Sequence, residues 1–228
     1  MKTVLLPVKE FGCAKQRLGP ALDGQARAGL ARAMLLDVFN ALRRARAPER
    51  IVVFTAADEV LQMAKPLGFQ TIVEKSIDGH SAAINYLIDE FSGTSSRILA
   101  IAGDLPKLLP SEIDFALNAA SEPVTLLPSR DWTGTNGVVF IPPGRIGMEY
   151  GEGSFRRHLS KISAAGLRSD VIDLPGIAFD IDTPEDLQAF MKDPRKDSET
   201  WRYLNAAAAS PARSLSAIAG SFSQGRGQ

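Results

Sequence analysis

The chain of 228 residues is 45% hydrophobic and 23% charged, an ordinary composition for a globular protein, and its length favours one domain over two. Lys and Arg together number 26, as do Asp and Glu, so the net charge is zero, which argues against a general electrostatic attraction to nucleic acid or to a membrane. No stretch is apolar for long enough to cross a bilayer, and Pro7 and Lys9 interrupt the first apolar run before it reaches the length of a signal peptide, so we expect a cytoplasmic protein.

The first half of the chain alternates strand-like apolar runs with helical patterns, which indicates βαβ units. The predicted strands are Thr3–Val8, Ile51–Thr55, Phe69–Val73 and Arg97–Ala102. The predicted helices run from an N-cap at Asp23 to about Arg46, over about Glu59–Leu67, over Ser81–Phe91, and from a capping box in Ser111-Glu112-Ile113-Asp114 to about Ala120. We therefore expect an α/β fold in which helices flank a mostly parallel central sheet.

The second half has shorter strand-like runs and loops richer in glycine and proline. Its predicted strands are Val124–Leu127, Gly137–Ile141, Val171–Leu174 and Ala178–Ile181. The last compact helix is predicted to begin with Thr183 as N-cap and to end near Lys192. We predict a domain over residues 1–192 and an Ala-, Ser- and Gly-rich tail over residues 193–228 that is flexible or docks. Trp201, Tyr203 and Leu204 could dock as a short helix on the domain or on a second copy, which leaves a homodimer open.

Three cations follow the first predicted strand and precede the first long helix: Lys9, Lys15 and Arg17. An open α/β sheet binds its ligands outside the carboxyl ends of its strands, so this loop is placed to receive an anion such as phosphate. The guanidinium of Arg17 can grip phosphate oxygens as a fork, and the lysines can act as point charges. The alternative is a solvated surface loop, which is the commoner fate of lysine and arginine.

Three aspartates are candidate metal ligands. Asp104 follows a buried strand directly, and Asp180 and Asp182 are two residues apart, so on a strand both carboxylates would share one face. Magnesium suits such a set, because it takes oxygen ligands and joins carboxylates to substrate phosphates. With His80, His158 and Cys13 as the chain's only histidines and cysteine, a zinc site is improbable. The alternatives are a helix-starting role for Asp182 and a turn role for Asp104.

Two glycine-bearing loops in the second half could hold an anion. The first, over residues 131–137, supplies hydroxyls and an amide through Thr133, Thr135 and Asn136. In the second, Ser154 could cap a helix whose free amides, with Gly151 and Gly153, would receive the anion. Neither the Gly-x-Gly-x-x-Gly pattern after the first strand nor a Walker-type loop occurs, so dehydrogenases and P-loop enzymes are disfavoured. Neither histidine lies in a nucleophile motif, and neither is assigned a catalytic role.

Taken together and in order, these motifs resemble the phospholactate guanylyltransferase family of coenzyme F-420 biosynthesis. The matching segments are Leu6-Pro7-Val8-Lys9, Ala14-Lys15-Gln16-Arg17-Leu18, Gly103-Asp104-Leu105-Pro106, Thr133-Gly134-Thr135-Asn136, Gly151-Glu152-Gly153-Ser154-Phe155 and Phe179-Asp180-Ile181-Asp182-Thr183-Pro184. The resemblance implies a Rossmann-like nucleotidyltransferase fold of the nucleotide-diphospho-sugar transferase type. It also implies an enzyme that joins GMP from GTP to phospholactate, phosphoenolpyruvate or 3-phosphoglycerate, with release of pyrophosphate.

The resemblance further implies the role of each site residue. Magnesium would be held by Asp104, Asp180 and Asp182; phosphates would be contacted by Lys9, Lys15 and Arg17; and the acid substrate would be bound by Thr135, Gly151 and Ser154. The product would pass to the next enzyme of the pathway.

One departure from the family pattern concerns the nucleotide. Where the family usually reads Gly-Leu-Asn before a helix, this chain has Gly79-His80-Ser81. Two alternatives therefore stay open: a nucleotidyltransferase for another acceptor or base, and a catalytically silent nucleotide-binding protein.

Overall fold

A computed structural model of the chain describes residues 1–75, 79–142 and 144–208. Its strands are β1 (Lys2–Pro7), β2 (Arg50–Thr55), β3 (Gln70–Val73), β4 (Arg97–Ile101), β5 (Val124–Pro128), β6 (Thr135–Phe140) and β7 (Ser169–Val171). They form one seven-stranded sheet in the order β3-β2-β1-β4-β6-β5-β7. Strand β6 is antiparallel to β4 and β5, and the remaining pairs are parallel. The predicted α/β fold with a mostly parallel sheet is confirmed.

Helices cover both faces of this sheet. They are α1 (Gly24–Arg44), α2 (Asp58–Ala64), α3 (His80–Ser92), α4 (Pro110–Ala119), α5 (Ser154–Ala164), α6 (Pro175–Ala178), α7 (Pro184–Lys192) and α8 (Glu199–Ala208). Helices α1, α2 and α4 pack on one face, and α3 and α5 pack on the other. Within the described ranges, no helix has the length and apolarity that a membrane span requires.

The apolar run at the start of the chain forms a central strand with both faces buried. Val4 and Leu6 belong to the core under α1, and Leu5 belongs to the core under α3. All three are fully buried, because successive side chains of a strand point to opposite faces and helices cover both. This burial explains why the strand reads as an unbroken apolar run in the sequence.

Two predicted helix starts have the expected caps. The side chain of Asp23 accepts a hydrogen bond from the Ala26 N–H at 2.7 Å, which caps α1. At α7, Thr183 Oγ1 accepts from the Asp186 N–H at 3.2 Å, and the Asp186 carboxylate accepts from the Thr183 N–H at 2.9 Å. Both helices therefore begin where their capping residues predict.

The capping box predicted at residues 111–114 is wrong by two residues. Helix α4 begins at Pro110, and the Glu112 carboxylate accepts the N–H of Leu109 at 3.0 Å. The Asp114 carboxylate instead accepts the backbone N–H groups of Arg46 and Ala47, each at 2.7 Å. Asp114 thus satisfies backbone groups after the end of α1, a tertiary role that helix periodicity does not reveal.

The predicted strand over Ala178–Ile181 is also wrong. Helix α6 ends at Ala178, and the next residues are irregular. The Ala178 carbonyl accepts from the Arg130 N–H at 2.8 Å and from the Asn136 amide at 3.2 Å, so it is not available to a sheet ladder. The strand predicted over Val171–Leu174 overlaps the observed β7 only at Val171.

The segment after Asp193 includes a helix that packs on α1. Leu204 and Ala207 on α8 are buried in a cluster with α1 residues, and the Asp37 carboxylate of α1 accepts the N–H groups of Glu199 and Thr200 at 2.7 and 3.0 Å. The described part of the predicted tail therefore docks on the domain. Residues 209–228 lie outside the described ranges, and the division of the chain at residue 193 stays a prediction.

Candidate active site

The predicted site residues meet at one edge of the sheet. Strands β1 and β4 end there, and β6 begins there because it is antiparallel, with Gly137 paired to Ile101. This edge opens into a cleft of about 730 Å³. The cleft is lined by all of the predicted site residues, namely Lys9, Lys15, Arg17, Asp104, Thr135, Gly151, Ser154, Asp180 and Asp182. The structure therefore brings these residues together, and their individual roles stay predictions.

Lys15 is the cation at the centre of the acidic side of the cleft. Its backbone is in the left-handed region with φ of 56°, and its side chain is only 5% exposed. The ammonium is 2.5 Å from Asp182 Oδ1 and also forms an ion pair with Asp104. Burial alone would lower the pKa of Lys15, but the two carboxylates outweigh it and raise that pKa above its usual range. Lys15 is therefore charged and bridges two segments that lie far apart in the sequence.

Asp104 and Asp180 have opposite electrostatic surroundings. Burial would raise the pKa of Asp104, but the adjacent Lys15 ammonium lowers it. Burial and the negative charges of Asp104 and Asp182 raise the pKa of Asp180 to about 7. The acidic side of the cleft thus carries more negative charge than Lys15 neutralises, and Asp180 is the carboxylate that lacks compensation.

The irregular segment that carries Asp180 is held by the second residue of β6. Asn136 donates from its side-chain amide to the Ile177 carbonyl at 3.0 Å as well as to that of Ala178. Two cations lie over the ring of Phe179: Lys107 Nζ is 4.4 Å and the Arg130 guanidinium 4.7 Å from the ring centroid. These contacts position Asp180 in an irregular segment. The prediction that Asp180 and Asp182 share one face relied on the pleat of a strand, and that strand is absent.

The donor set of the three aspartates fits a hard divalent cation, because all three supply carboxylate oxygens and one of them is electrostatically uncompensated. In the described ranges, however, no three acidic, histidine or cysteine side chains already form a closed metal-ligand cluster. Instead, two of the three carboxylates, those of Asp104 and Asp182, accept hydrogen bonds from the Lys15 ammonium.

Lys9 and Arg17 form the cationic wall of the cleft. Both side chains are exposed, and neither makes an ion pair with any residue that the structure describes. Lys15, by contrast, is buried and forms ion pairs with Asp104 and Asp182. Their charges are therefore available to an anion that enters the cleft.

The loop before α5 forms the opposite wall. Gly151 and Gly153 have φ of 111° and 69°, a conformation that favours glycine. The predicted N-cap role of Ser154 is wrong: Gly153 is the N-cap, and Ser154 is the first helical residue. Ser154 Oγ instead accepts the backbone N–H of Thr135 at 3.1 Å, which joins the two glycine-bearing loops.

Several residues of the site were missed from the sequence. His80 and Tyr150 line the cleft with their rings edge to face at 4.6 Å between centroids, and burial lowers the pKa of His80 to about 4. Asp131, also in the cleft, accepts from the Ser129 hydroxyl at 2.7 Å and from the Thr133 N–H at 3.0 Å, which shapes the first glycine-bearing loop. The Ser-x-Asp-x-Thr spacing of that loop is the local signal that could have revealed the turn.

The fold of this sheet is nucleotidyltransferase-like, and a cleft at one edge of it holds carboxylates and cations. The fold is shared with a Desulfovibrio desulfuricans protein described as a nucleotide-diphospho-sugar transferase (TM-score 0.73, 19% identity, 91% of this chain and 95% of that one). It is also shared with a Mycobacterium tuberculosis protein solved as a complex with manganese (TM-score 0.51, 16% identity, 84% and 97% of the two chains).

The chain belongs to the family described as guanylyl transferase CofC like, whose profile matches residues 1–213. It is 34% identical over 189 residues to the phosphoenolpyruvate guanylyltransferase of Conexibacter woesei, which covers 81% of this chain and 85% of the relative. It is 31% identical over 188 residues to the 2-phospho-L-lactate guanylyltransferase of Methanothermobacter thermautotrophicus, with coverage of 82% and 83%. The protein is therefore an enzyme of the nucleotidyltransferase class, and its family is that of guanylyltransferases.

Proposed function

We propose that this enzyme transfers GMP from GTP to a phosphorylated three-carbon acid, which is phosphoenolpyruvate, 2-phospho-L-lactate or 3-phosphoglycerate, and releases pyrophosphate. The observation that carries the proposal is that, within the described ranges, one cleft holds two unpaired cations, a carboxylate without an ion-pair partner at Asp180, and a wall of hydroxyl and glycine groups. The names of the two relatives support a guanylyl donor and an acid acceptor.

The chemistry needs no general base. A phosphomonoester has its second pKa near ~6, so its oxygen is already a nucleophile at neutral pH. That oxygen would attack the α-phosphorus of GTP in line, forming one P–O bond as the bond to the β-phosphate breaks and the electron pair leaves with pyrophosphate. Lys9 and Arg17 would neutralise phosphate oxygens, and Thr135 and Ser154 would orient the acid. The absence of a catalytic role for either histidine agrees with this mechanism.

We further propose Mg²⁺ as the cofactor, held by Asp104, Asp180 and Asp182. When bound, it would supply positive charge that neutralises the triphosphate of the donor. Lys15 would then release the carboxylates of Asp104 and Asp182 and turn its ammonium toward phosphate oxygens. The uncompensated charge at Asp180 supports this assignment.

The biological setting is proposed from the family resemblance. The reaction would belong to coenzyme F-420 biosynthesis in the cytoplasm, and the product would pass to the next enzyme. A homodimer is also proposed, because the apolar side chains of Leu109 and Phe115 are 43% and 51% exposed.

The proposal is tested by a matrix of substrates. Purified enzyme with Mg²⁺ is offered GTP, ATP, CTP and UTP in turn, each with phosphoenolpyruvate, 2-phospho-L-lactate and 3-phosphoglycerate. Pyrophosphate release is followed by a coupled assay, and the product is identified by mass. We expect turnover with GTP and at least one acid, and a product whose mass is that of the acid plus a guanylyl group.

Each other outcome has a definite meaning. Preference for another nucleotide would assign a different base and would point to the Gly79-His80-Ser81 departure as its cause. Magnesium-dependent binding of GTP without turnover in any pair would support a catalytically silent protein and would reject the proposed function.

A further inference from the structure

His158 lies on α5, is fully buried, and does not line the cleft itself. Its two ring nitrogens each have one partner: the Glu149 N–H donates to Nε2 at 3.0 Å, and Nδ1 lies 2.9 Å from Thr135 Oγ1. A backbone N–H can only donate, so Nε2 must carry the ring's lone pair. The proton of the neutral imidazole is therefore on Nδ1, and the Nδ1–H donates to the Thr135 hydroxyl oxygen.

This proton position determines what the Thr135 hydroxyl can do. Its oxygen already accepts from His158, and the described residues provide no acceptor for its own proton. Thr135 lines the cleft, so that proton is available to a ligand in the cleft. The oxygen keeps a second lone pair, but an ionised carboxylate or phosphate has no proton to give, so toward such a ligand this hydroxyl acts as the donor.

Ser154 has the same arrangement. Its oxygen accepts the Thr135 N–H at 3.1 Å, and its proton likewise has no acceptor among the described residues. Ser154 and Thr135 are 2% and 5% exposed, so water screens them little. Together they present two hydroxyl donors, which match the acceptor oxygens of a carboxylate or phosphate.

The ring of His158 stays neutral at the pH at which the acceptor is ionised. Burial, Lys161 and Arg157 lower the pKa of His158 to about 4, against the opposing charge of Glu149. Glu149 is itself paired with Lys161 at 2.8 Å. Protonation would also direct an Nε2–H at the Glu149 N–H, so both geometry and charge favour the neutral ring, and geometry selects its Nδ1–H tautomer.

We infer that His158 is a positioning residue that holds the Thr135 hydroxyl as a hydrogen-bond donor to an acidic group of the acceptor. The inference rests on the proposed function for the identity of the acceptor, but the proton position does not depend on it. His158 acts through Thr135 and has no contact with the reacting atoms. It therefore contributes to recognition of the ionised acid and not to the bond-making step.

Two variants separate this role from simple packing, because each keeps one of the two hydrogen bonds. In His158→Asn the side-chain amide nitrogen lies near the Nδ1 position and can still donate to Thr135. In His158→Gln the side-chain oxygen reaches the Nε2 position and can accept from Glu149, but the donor to Thr135 is lost. A merely structural role predicts similar effects for both variants.

The measurement is the KM for the acceptor and for GTP, together with kcat. We expect His158→Gln to raise the acceptor KM by about 10-fold or more, the loss typical of a hydrogen bond to a charged group, with the GTP KM and kcat within about 2-fold. We expect His158→Asn to raise the acceptor KM far less. In a Thr135→Val background, His158→Gln should add less than about 2-fold, since the hydroxyl through which it acts is gone. Equal effects of the two variants, or full additivity with Thr135→Val, would overturn the inference.

Acceptor analogues identify the group that is recognised. If it is the carboxylate, the difference between His158→Gln and wild type disappears with a phosphorylated three-carbon alcohol that lacks the carboxyl. If it is the phosphate, the difference remains with that analogue.

Nitrogen NMR tests the proton position without any activity. The chain has two histidines, so comparison of a histidine-labelled wild type with a labelled His80→Asn variant assigns the two ring-nitrogen signals of His158. We expect the Nδ1–H tautomer from pH 6 to 8. The Nε2–H tautomer would reject the inference even if the enzyme is active, and inactivity of the wild type with every substrate pair would reject the proposed function while this measurement still decides the tautomer.

Discussion

At the scale of single residues, the acidic side of the cleft carries charge that the apo protein does not balance. Lys15 pairs with Asp104 and Asp182, and Asp180 remains with a pKa raised to about 7 by burial and by the neighbouring carboxylates. Repulsion of this kind opposes folding and favours cation binding. Mutation of such a site is expected to lower activity while leaving the stability of the fold unchanged or raising it.

The variant Asp180→Asn should show both effects. We expect turnover to fall by about 100-fold or more, because one of the three carboxylates proposed to hold Mg²⁺ would be lost, and with it the positive charge that offsets the developing charge on the phosphates. We expect Tm to stay at the wild-type value or rise, since one member of a repelling set is neutralised. Thermal scans and pyrophosphate release measure the two effects. The control is Asp173→Asn, which neutralises an exposed acid nearby and should change neither. Wild-type turnover in Asp180→Asn would contradict the metal assignment.

At the scale of elements, α8 is attached to α1 by a buried carboxylate. Asp37 accepts the Glu199 and Thr200 N–H groups and, at 2.6 Å, the Thr200 hydroxyl. The first backbone N–H groups of a helix have no partner within it, so Asp37 acts as a cap supplied by another helix. Ser198 adds the local cap by accepting the Trp201 N–H at 3.0 Å. Gly29 completes the contact, since a Cβ there would overlap the Tyr203 ring.

Replacement of that carboxylate should weaken the docking. We expect Asp37→Asn to lower the free energy of unfolding by about 1–3 kcal/mol, because the amide supplies one acceptor oxygen in place of two and no charge. Urea denaturation measures the loss. The matched control is Glu90→Gln on the exposed face of α3, where the change should stay within about 0.5 kcal/mol. Equal stability of the two variants would show that α8 does not depend on Asp37.

At the scale of the whole molecule, protonation links the folding equilibrium to pH. His158 has a folded pKa of about 4 against an ordinary value of 6.5, so between these values the unfolded chain binds a proton that the folded protein excludes. The stabilisation is therefore fully present above pH 6.5 and is lost as pH falls toward 4.

A comparison of wild type with His158→Asn isolates this contribution from that of the other titrating groups. We expect the wild type to lose about 2 kcal/mol more than the variant between pH 7 and pH 5. The measurement is urea denaturation at both pH values. Parallel losses in the two proteins would mean that His158 is protonated in the folded state, which the hydrogen bond from Glu149 opposes.

Features that depend on local interactions were predicted from the sequence, whereas features that depend on contacts between distant segments were not. The β1 run, the Asp23 cap and the Thr183 cap were predicted correctly, because burial on two faces and helix capping leave local patterns. The strand at Ala178–Ile181 was wrong, because Asn136 and Arg130, more than forty residues earlier, take the Ala178 carbonyl that a ladder would need. The cap at Ser154 was wrong for a related reason, since its hydroxyl bonds Thr135.

The same distinction between local and long-range interactions applies to the residues of the site. Lys9 and Asp104 were placed at the cleft from the sequence because charged residues directly after apolar strands lie at the end of a sheet, whereas Asp180 was placed there through a strand that the structure does not have. The bridge of Lys15 joins it to Asp104 and Asp182, which are 89 and 167 positions away, and His158 is 23 positions from Thr135, so no local sequence pattern reveals these contacts.

The sequence by itself determined the α/β class, the order of the strands along the chain, and the residue types available to a phosphate and a metal. The tertiary structure alone decided which charges meet, which hydroxyl protons have no acceptor among the described residues, and where the histidine proton lies. The physical reason is that local patterning encodes burial and helix ends, whereas hydrogen bonds and ion pairs depend on distances set by the assembled sheet and its packed helices.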